Sequence, residues 1–379
     1  MRHLVVTSHA PVLGGGRALR TYGIVRALAG LAPVDLLFPW FGAAAAAPEY
    51  ERMDGLALHG VHASRGPLRA LAYAWARVEG VPAGFARGIS PELVRRAREL
   101  AGAPGRGLVV ADGPTARAAT WRLSGVTYNA HNLESAFRHD AGDEDLGSRR
   151  SLERFERRML ERSTESWMAS RADTEAAARL APGARLRYVP NVVDVAAIEP
   201  VPPHEGEPRA LFVADFGYGP NATGMRFLLD EVCPRVWEHV PDARIALVGR
   251  GITDPPRDPR VEVRGFVESL RDEYAAATCA VVPLLEGGGS PLKFVEALAY
   301  GVPVVATPKA AAGIDAEPGK HYLKGDGAEA FAAALTAVLR DGAPETARAG
   351  RRLAEESYSI ESLQKLLKGS DPFLRVVEG

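Results

Sequence analysis

Cysteine is scarce in this chain of 379 residues, which contains only Cys233 and Cys279. Two cysteines provide neither a disulfide framework nor the cysteine-rich ligand set of a structural zinc site. Their scarcity fits a reducing compartment, and we therefore expect a cytoplasmic protein.

An excess of charge is also missing, because 46 Lys and Arg residues face 47 Asp and Glu residues, for a formal net charge of -1. Without an overall field, we expect no binding of nucleic acid. The two halves differ, however. The first 200 residues contain 26 Arg, no Lys and 21 acidic residues, whereas the remainder contains 20 basic and 26 acidic residues. The first half therefore weakly favours an acidic partner.

Long apolar runs are absent as well. The opening "MRHLVVTS" is broken too early for a signal peptide or a membrane span, so we interpret it as a strand and predict no transmembrane segment. A peripheral membrane contact stays open, since "RRSLERFERRMLERSTES" is a highly charged helix. Its acids interleave with its arginines, which favours a solvated helix over a membrane surface.

Short Val, Leu and Ile runs do occur, and they alternate with longer stretches of helical period, as in a parallel sheet wrapped by helices. The strand candidates are "HLVVTS", "VDLLF", "LVVAD", "VTYNAH" and "SWMAS" in the first half, and "ALFVAD", "RIALVG", "VEVRG", "CAVVPLL" and "PVVAT" in the second. They predict two doubly wound α/β domains. Residues 199–208, "EPVPPHEGEP", have no apolar periodicity and predict a linker, so the domains cover residues 1–199 and 200–379.

The segment "EGGGSPLKFVEALAYGVPVVAT", residues 286–307, predicts an anion site. Ser290 is a preferred N-cap and Pro291 suits the first helical position, so we expect the helix to begin there, after three glycines. The glycine amides can approach a ligand closely, and the helix start adds positive charge. The site follows the strand "CAVVPLL", at the edge where open α/β sheets bind ligands.

One stripe of this predicted helix carries Lys293, Glu296 and Tyr300, while its other positions are apolar. One interpretation is a surface ion pair between Lys293 and Glu296, which contributes roughly a few tenths of a kcal/mol. The other is a lysine for phosphate and a carboxylate for two hydroxyls, as a nucleotide presents them. The neighbouring anion site favours the second interpretation.

These residues resemble the nucleotide-sugar site of GT-B glycosyltransferases, specifically the retaining enzymes of family 4, the bacterial glycosyl transferases group 1. Further similar segments occur in the same order and spacing over nearly the whole chain. They are "GGGRALRTYGIVRALA", "YNAHNLES", "VPNVVD", residues 212–251 and residues 264–307. The resemblance implies two Rossmann-like domains facing a deep cleft, and it allows the last helix to pack back on the N-terminal domain.

The resemblance also implies roles for individual residues. Glu296 would accept both ribose hydroxyls, and Lys293 would bind the diphosphate together with the amides of Gly288, Gly289 and Ser290. The backbone around Phe266 and Val267 would contact the base. His131 would reach the donor sugar, and we assign catalysis to His131 and Lys293. Gly14, Gly15 and Gly16 could place amides near a phosphate or the acceptor.

The sequence departs from the family pattern in two places. Many relatives carry an arginine and a lysine after the first strand of the second domain, but "ADFGYGPNATG" has neither and leaves Asn221 with backbone amides. The phosphate charge then falls more heavily on Lys293. Counting back from Glu296, the position of the family's other glutamate is Gly288, and Glu286 lies two places away, so Glu286 receives no role.

The implied reaction moves a sugar from a nucleotide diphosphate to an acceptor hydroxyl with retention at the anomeric carbon, without a metal or another cofactor. The partners would be a nucleotide sugar and a small-molecule or glycan acceptor. Two alternatives stay open. One is a sugar-nucleotide epimerase of the same fold, and the other is a non-catalytic protein that keeps the GT-B architecture.

Overall fold

A computed structural model describes residues 1–40, 45–62, 66–136, 145–287 and 290–368. The chain divides into two units. The first unit is Met1–Pro190 together with the chain from Leu363 onward, and the second unit is Asn191–Ser362. The segment predicted as a linker thus lies within the second unit, where Val201 is buried and its backbone N–H donates to the Tyr300 carbonyl oxygen over 2.9 Å.

The described part of the first unit is built on a sheet of seven parallel strands, in the spatial order β3-β2-β1-β4-β5-β6-β7. The strands are β1 (Arg2–Thr7), β2 (Val34–Trp40), β3 (Leu56–His62), β4 (Arg106–Asp112), β5 (Val126–Asn129), β6 (Glu165–Met168) and β7 (Leu186–Tyr188). Its helices are α1 (Gly16–Ala29), α2 (Pro48–Glu51), α3 (Pro67–Val78), α4 (Ala83–Ala86), α5 (Pro91–Ala101), α6 (Gly113–Ala119), α7 (Arg149–Glu161) and α8 (Arg171–Leu180).

The second unit has a parallel sheet of six described strands, in the order β10-β9-β8-β11-β12-β13. They are β8 (Arg209–Val213), β9 (Arg244–Val248), β10 (Val261–Gly265), β11 (Cys279–Val282), β12 (Val304–Ala306) and β13 (Leu323–Lys324). The helices are α9 (Gly219–Arg226), α10 (Cys233–Trp237), α11 (Leu270–Ala275), α12 (Leu292–Tyr300), α13 (Pro308–Ala311), α14 (Gly327–Asp341), α15 (Pro344–Ser357) and α16 (Ile360–Lys368). The last helix begins in the second unit and ends in the first.

The central strands confirm the prediction of two doubly wound α/β units. All ten predicted runs contain a strand, and β1, β4, β8 and β11 are buried almost throughout because helices cover both faces of each sheet. Three strands were not predicted. β3 is half-exposed, and β7 and β13 span three and two residues, so these edge strands lack the apolar runs of the central ones.

Two glycines after β9 let the loops at the carboxyl edge of the second sheet pack tightly. A Cβ atom at Gly249 would lie 1.8 Å from the Ala214 carbonyl oxygen, and one at Gly251 would lie 2.2 Å from the Gly217 backbone nitrogen. Both glycines also have positive φ angles, 131° and 94°. The loop after β8, which leads into α9, is therefore held directly against the loop after β9.

Within the described ranges, no helix has both the length and the apolar character needed to cross a bilayer.

Candidate functional site

Helix α12 of the second unit places the predicted nucleotide-binding stripe at the carboxyl edge of its sheet, after β11. Lys293, Glu296 and Tyr300 are half-buried, whereas most of the helix between them is fully buried against the core. The predicted stripe of one lysine, one glutamate and one tyrosine on a single face is therefore present.

The start of this helix differs from the prediction. The helix begins at Leu292, its N-cap is Pro291 with extended backbone, and Ser290 does not cap it. The reason is that Pro291 has a ψ of 109°, outside the helical range, while the Ser290 carbonyl oxygen accepts a hydrogen bond from Asn191 Nδ2 at 2.7 Å. The buried Ser290 hydroxyl has no hydrogen-bond partner among the described residues. Gly288 and Gly289 lie outside those residues.

Lys293 is held by one polar contact and by an aromatic ring. Its Nζ donates to Asn221 Oδ1 over 2.5 Å and lies 5.0 Å from the centre of the Phe212 ring. Burial lowers the pKa of Lys293 to about 7. The ammonium group thus lacks the compensation that a carboxylate would give, and an anionic ligand would restore its charge.

Glu296 lies on the same helix face, and burial shifts its pKa in the opposite direction. Burial raises the pKa of its carboxyl to about 7, against the opposing effect of a hydrogen bond from Tyr274 Oη, 3.3 Å from Glu296 Oε2. The Tyr274 ring stacks on Tyr300 with centroids 4.4 Å apart, which holds the hydroxyl in place. Only one of the carboxylate oxygens has this donor, so the group can accept further hydrogen bonds.

The interpretation of Lys293 and Glu296 as a surface ion pair is wrong. Their charged atoms do not come within 4.0 Å of each other, and neither group has an oppositely charged partner in the described chain. Two half-buried, uncompensated groups on one helix face are typical of a site that binds a ligand with both negative charge and hydroxyl donors.

Asn221 connects this face to the loop after β8. It is buried near the start of α9, and its Nδ2 donates to the Asp215 carbonyl oxygen over 2.7 Å while its Oδ1 accepts from Lys293. Asp215 also accepts from Arg250 Nε over 3.1 Å. Glu286 is exposed and accepts from Thr223 Oγ1 of α9 at 3.1 Å, so it connects two loops at this edge.

The segment predicted to contact the base follows β10. Phe266 is 84% exposed, whereas Val267 packs against the core. Gly265 takes a positive φ of 65°, and its carbonyl oxygen accepts from the Gly249 backbone N–H over 2.7 Å. The turn therefore presents an aromatic ring to solvent at the same edge of the sheet as Lys293.

The first unit places His131 directly after β5, where it contacts a buried carboxylate at the end of β4. His131 Nε2 lies 2.8 Å from Asp112 Oδ1, and Asn129 Nδ2 donates to the same oxygen over 2.7 Å. Burial alone would raise the pKa of Asp112, but His131, His9 and Thr21 outweigh it and hold that pKa well below its usual range. The ionised carboxylate fixes the orientation of the His131 ring.

A second histidine reaches the same carboxylate through a threonine. Thr21 Oγ1 donates to Asp112 Oδ2 over 2.6 Å and lies 3.2 Å from His9 Nε2, while Thr7 Oγ1 lies 3.1 Å from His9 Nδ1. Burial lowers the pKa of His9, although Asp112 opposes the effect. The two histidine rings lie 6.4 Å apart, edge to face.

Buried Arg20 on α1 connects to this network through Asn129. Its Nη2 donates to Asn129 Oδ1 over 2.7 Å and its Nη1 to the Val189 carbonyl oxygen over 2.9 Å. Burial lowers the pKa of Arg20 to about 10. Arg20 thus orients Asn129, which in turn donates to Asp112.

A cavity of about 310 Å³ opens beside His131 within the first unit. Its lining includes His9, Gly14, Arg17, His131, Glu134 and Glu156. The predicted glycine loop and the predicted histidine therefore line one cavity. Gly15 precedes α1 with a φ of 84°, and a Cβ atom at Gly14, Gly15 or Gly16 would meet nothing within 4 Å, so this loop leaves open space at the helix start.

The loop after His131 is anchored by a buried carboxylate on α7. Glu156 accepts the backbone N–H groups of Glu134 over 2.7 Å and Ser135 over 3.2 Å. Burial raises the pKa of Glu156 to about 7, although these hydrogen bonds oppose the effect. The charged helix predicted around residue 155 is therefore a packed element of the first unit, with Phe155 and Glu156 on its buried face.

Sequence reasoning missed Asp112, His9, Thr21 and Glu156. Asp112 carried a usable signal, since it ends the predicted strand "LVVAD" and a carboxylate at the carboxyl end of a buried parallel strand lies where ligands bind. The other three have no local signal, because their neighbours come from distant segments. No group of three or more His, Cys, Asp or Glu side chains in the described ranges is placed to hold a metal ion.

Sequence comparisons match part of this chain to known proteins. The family model for glycosyl transferases group 1 matches residues 207–341. A phosphatidyl-myo-inositol mannosyltransferase from Mycolicibacterium smegmatis is 32% identical over 196 residues, which cover 46% of this chain and 49% of that protein. The chain thus matches about half the length of this curated relative.

Solved structures match the whole chain in fold. Sucrose-phosphate synthase from Thermosynechococcus elongatus has a TM-score of 0.72 at 19% identity, covering 97% of this chain and 98% of that one. Anabaena HepE, solved with UDP and glucose, has a TM-score of 0.69 at 14% identity, covering 98% and 99%. The predicted GT-B fold and the resemblance to glycosyl transferases group 1 are confirmed.

Proposed function

We propose that this protein is a glycosyltransferase that moves a sugar from a nucleotide-diphosphate sugar to an acceptor hydroxyl, with retention and without a metal. The observation that carries the proposal is the α12 face, where a lysine and a glutamate lie half-buried and the described part of the chain offers neither of them a partner of opposite charge. The match to glycosyl transferases group 1 over the unit that contains this face supports it.

In the proposed complex, the second unit binds the nucleotide. Lys293 donates to the diphosphate, and Asn221 holds the lysine in position. Glu296 accepts the ribose hydroxyls, with its carboxylate steadied by Tyr274. Phe266 offers an exposed ring for the base. Each contact matches a ligand group to the hydrogen-bonding character of the side chain.

His131 is proposed to bind the transferred sugar. The Asp112 carboxylate accepts a hydrogen bond from His131 Nε2, so the ring is oriented before any substrate arrives. Glu156 anchors the backbone that follows the histidine. The cavity beside His131, with the open amides at the start of α1, would hold sugar or acceptor hydroxyls.

The chemistry asked of these residues is mainly electrostatic. As the bond between sugar and phosphate breaks, negative charge grows on the phosphate, and an ammonium group already in place stabilises it. The leaving phosphate accepts the proton of the attacking hydroxyl on the same face of the sugar, which gives retention. Lys293 is the residue whose contribution should grow most along this path.

A binding screen tests the proposal first. Thermal unfolding of the purified chain is followed with UDP, GDP, ADP and their sugars, and UDP sugars come first because HepE was solved with UDP and glucose. A ligand at a hundredfold excess over its Kd should add about 2.7 kcal/mol to the free energy of unfolding. If none of these ligands stabilises the protein, the non-catalytic alternative is favoured.

Product analysis tests the reaction itself. NMR of the product from the stabilising donor should show the anomeric configuration of the donor, and turnover should continue in EDTA. An inverted product would contradict retention, and loss of turnover in EDTA would contradict metal independence. Conversion of the donor to an isomer without any acceptor would identify an epimerase instead.

A further inference from the structure

The loops on either side of Lys293 contain no further positive charge. Residues 214–225, after β8, and residues 283–292, after β11, contain no lysine or arginine, but they do contain Asp215 and Glu286. The diphosphate of a nucleotide sugar carries negative charge on both of its phosphates. Lys293 would have to compensate that charge alone, between loops that themselves carry two carboxylates.

Arg250 follows the neighbouring strand β9, and its backbone is fixed against the loop after β8. Its carbonyl oxygen accepts a hydrogen bond from the Phe216 backbone N–H over 2.8 Å. The glycines on either side of it, Gly249 and Gly251, have no room for a Cβ atom beside that loop. The arginine is therefore held at the carboxyl edge of the sheet, where open α/β sheets bind ligands.

The Arg250 side chain is anchored at one nitrogen only. Its Nε donates to Asp215 Oδ2 over 3.1 Å, whereas its terminal nitrogens, Nη1 and Nη2, have no hydrogen-bond partner among the described residues. Asp215 is itself tied to the backbone, since its Oδ1 accepts from the Gly217 N–H over 3.0 Å. The Arg250 side chain is 69% exposed, so its terminal nitrogens are free to donate hydrogen bonds to a phosphate.

Asn221 connects this arginine to Lys293. Its Oδ1 accepts from Lys293 Nζ, and its Nδ2 donates to the carbonyl oxygen of Asp215, whose carboxylate holds Arg250. The two cations follow the strands on either side of β8, because β8 pairs with β9 and with β11. A diphosphate at the end of β8 would thus have one cation from each neighbouring strand.

We propose that Arg250 is a second diphosphate-binding residue, which compensates the phosphate charge together with Lys293. Asp215 positions the side chain, and the terminal nitrogens of Arg250 donate to phosphate oxygens. This role of Arg250 rests on the proposed function, because it requires a diphosphate at the α12 face. An exposed ion pair contributes little to folding stability, so replacement of Arg250 should leave the fold intact.

Calorimetry with UDP and UMP tests this role without any sugar transfer. The two ligands share the base and the ribose, and UDP has one more phosphate. Arg250→Ala should weaken UDP binding by about tenfold and UMP binding by less than about threefold. If the thermal screen selects another base, the diphosphate and monophosphate of that base replace UDP and UMP.

Arg244→Ala is the matched control. Arg244 lies at the opposite end of β9 and forms an exposed ion pair with Glu207 over 2.7 Å. Its replacement removes the same charge from the same strand, at the edge of the sheet away from the α12 face. The affinities for UDP and UMP should both stay at the parental value.

Two further variants separate a phosphate contact from a structural role. Arg250→Lys keeps the positive charge and should recover part of the UDP affinity. Asp215→Asn breaks the same ion pair but removes a negative charge, so UDP should bind at least as tightly as it binds the parent. Circular dichroism and thermal melts of every variant check that the fold is kept.

Three results would overturn the role of Arg250. Equal losses of UDP affinity in Arg250→Ala and Asp215→Asn would mean that the ion pair only holds the loops together. Equal losses for UDP and UMP in Arg250→Ala would place the arginine at the base or the ribose. Unchanged UDP affinity in Arg250→Ala would leave the proposed glycosyltransferase reaction standing without this residue.

Failure of the proposed function gives different results. A parent protein that binds no nucleoside diphosphate would overturn both the proposed function and the role of Arg250. A parent that binds UDP with the expected dependence on Arg250, yet transfers no sugar, would support the diphosphate contact and contradict the proposed reaction.

Discussion

The buried charges at the carboxyl edges of the two parallel sheets differ in whether the protein supplies partners for them. In the first unit, Asp112 is surrounded by His131, Asn129 and Thr21, and its pKa is held low. In the second unit, Lys293 and Glu296 have no ionic partner among the described residues, and burial brings the pKa of each to about 7. The charge of Asp112 is thus compensated within the first unit. The charges of Lys293 and Glu296 would be compensated only by the groups of a bound ligand.

This difference suits the two sites to different tasks. The first holds the His131 side chain in one orientation, and the second binds a charged ligand. A satisfied network costs little to keep and holds a side chain in one geometry, which suits His131. Two buried charged groups without partners lower the stability of the free protein. They contribute more binding free energy when a charged ligand arrives, which suits the α12 face. Substitutions at the two edges should therefore change activity and stability in different combinations.

The largest effect is expected for Lys293→Ala. Removal of the proposed diphosphate cation should lower kcat/KM by on the order of 2 to 4 kcal/mol in transition-state stabilisation, with losses in both turnover and donor affinity. Lys293→Arg should recover part of this loss, limited by the shape of the guanidinium group. Steady-state kinetics with the donor from the screen gives the measurement.

Lys320→Ala is the control for that substitution, because Lys320 is exposed and pairs with Glu317. It should leave kcat/KM unchanged. Near-parental kcat/KM in Lys293→Ala would remove the α12 face from the proposed mechanism.

Asp112→Asn should come next. The neutral amide no longer holds the His131 ring as the carboxylate does, so kcat should fall by roughly ten- to a hundredfold, in the range found for groups that orient an active residue. Nucleotide affinity, measured by calorimetry with the free nucleoside diphosphate, should not change. The stability that the low pKa of Asp112 supplies is present above about pH 4 and is lost at lower pH, so the variant should also unfold more easily at neutral pH.

Asp35→Asn provides a matched control within the same sheet. Asp35 is buried near the amino end of β2 and bonds Arg106 over 2.8 Å. Its replacement should destabilise the fold and leave kcat of the folded fraction unchanged. Equal losses of kcat in both variants would show that Asp112 supports the fold alone.

Glu296→Gln should have a smaller kinetic effect. An amide accepts hydrogen bonds from the ribose hydroxyls more weakly than a carboxylate, so nucleotide affinity should drop by about 1.5 kcal/mol, close to tenfold. The ribose lies away from the breaking bond, and kcat should change less than KM. A loss confined to kcat would contradict the assignment of Glu296 to ribose.

The smallest effect concerns stability without ligand. Lys293→Met removes a buried ammonium and should raise Tm by roughly 2 °C at pH 7. Because the pKa of Lys293 falls from 10.5 to about 7 on folding, the unfolded chain binds more protons between these values. The gain should thus be complete below pH 7 and disappear as the pH approaches 10.5.

Glu296→Gln should show the opposite trend with pH. The pKa of Glu296 rises from 4.5 to about 7 on folding, so its ionised form weakens the fold above pH 7. The variant should be more stable than the parent at high pH and equal to it below pH 4.5. Thermal melts across this range compare both variants, and a fall in Tm for either would mean that the group has a partner in the free protein.

Sequence periodicity predicted much of the site on the second unit and little of the Asp112 and His131 network on the first unit. The α12 stripe lies on one helix, so the spacing of Lys293 and Glu296 alone placed them on one face. The start of that helix was less predictable, because Asn191, about a hundred residues away, takes the Ser290 carbonyl. Asp112 and His131 come from different strands, and only the sheet order brings them together. Tertiary contacts of this kind leave no periodic signal.

The lowered pKa of Lys293 also makes its amine chemically reactive. Near neutral pH a large share of this side chain is the free base, whereas an ordinary lysine is almost fully protonated. A desolvated neutral amine is a nucleophile that forms imines with aldehydes. Among the six lysines of the chain, this amine should therefore be the preferred position for an aldehyde that carries a phosphate group, when the imine is reduced with borohydride. The residue proposed to bind the diphosphate thus doubles as an attachment point for a spectroscopic probe.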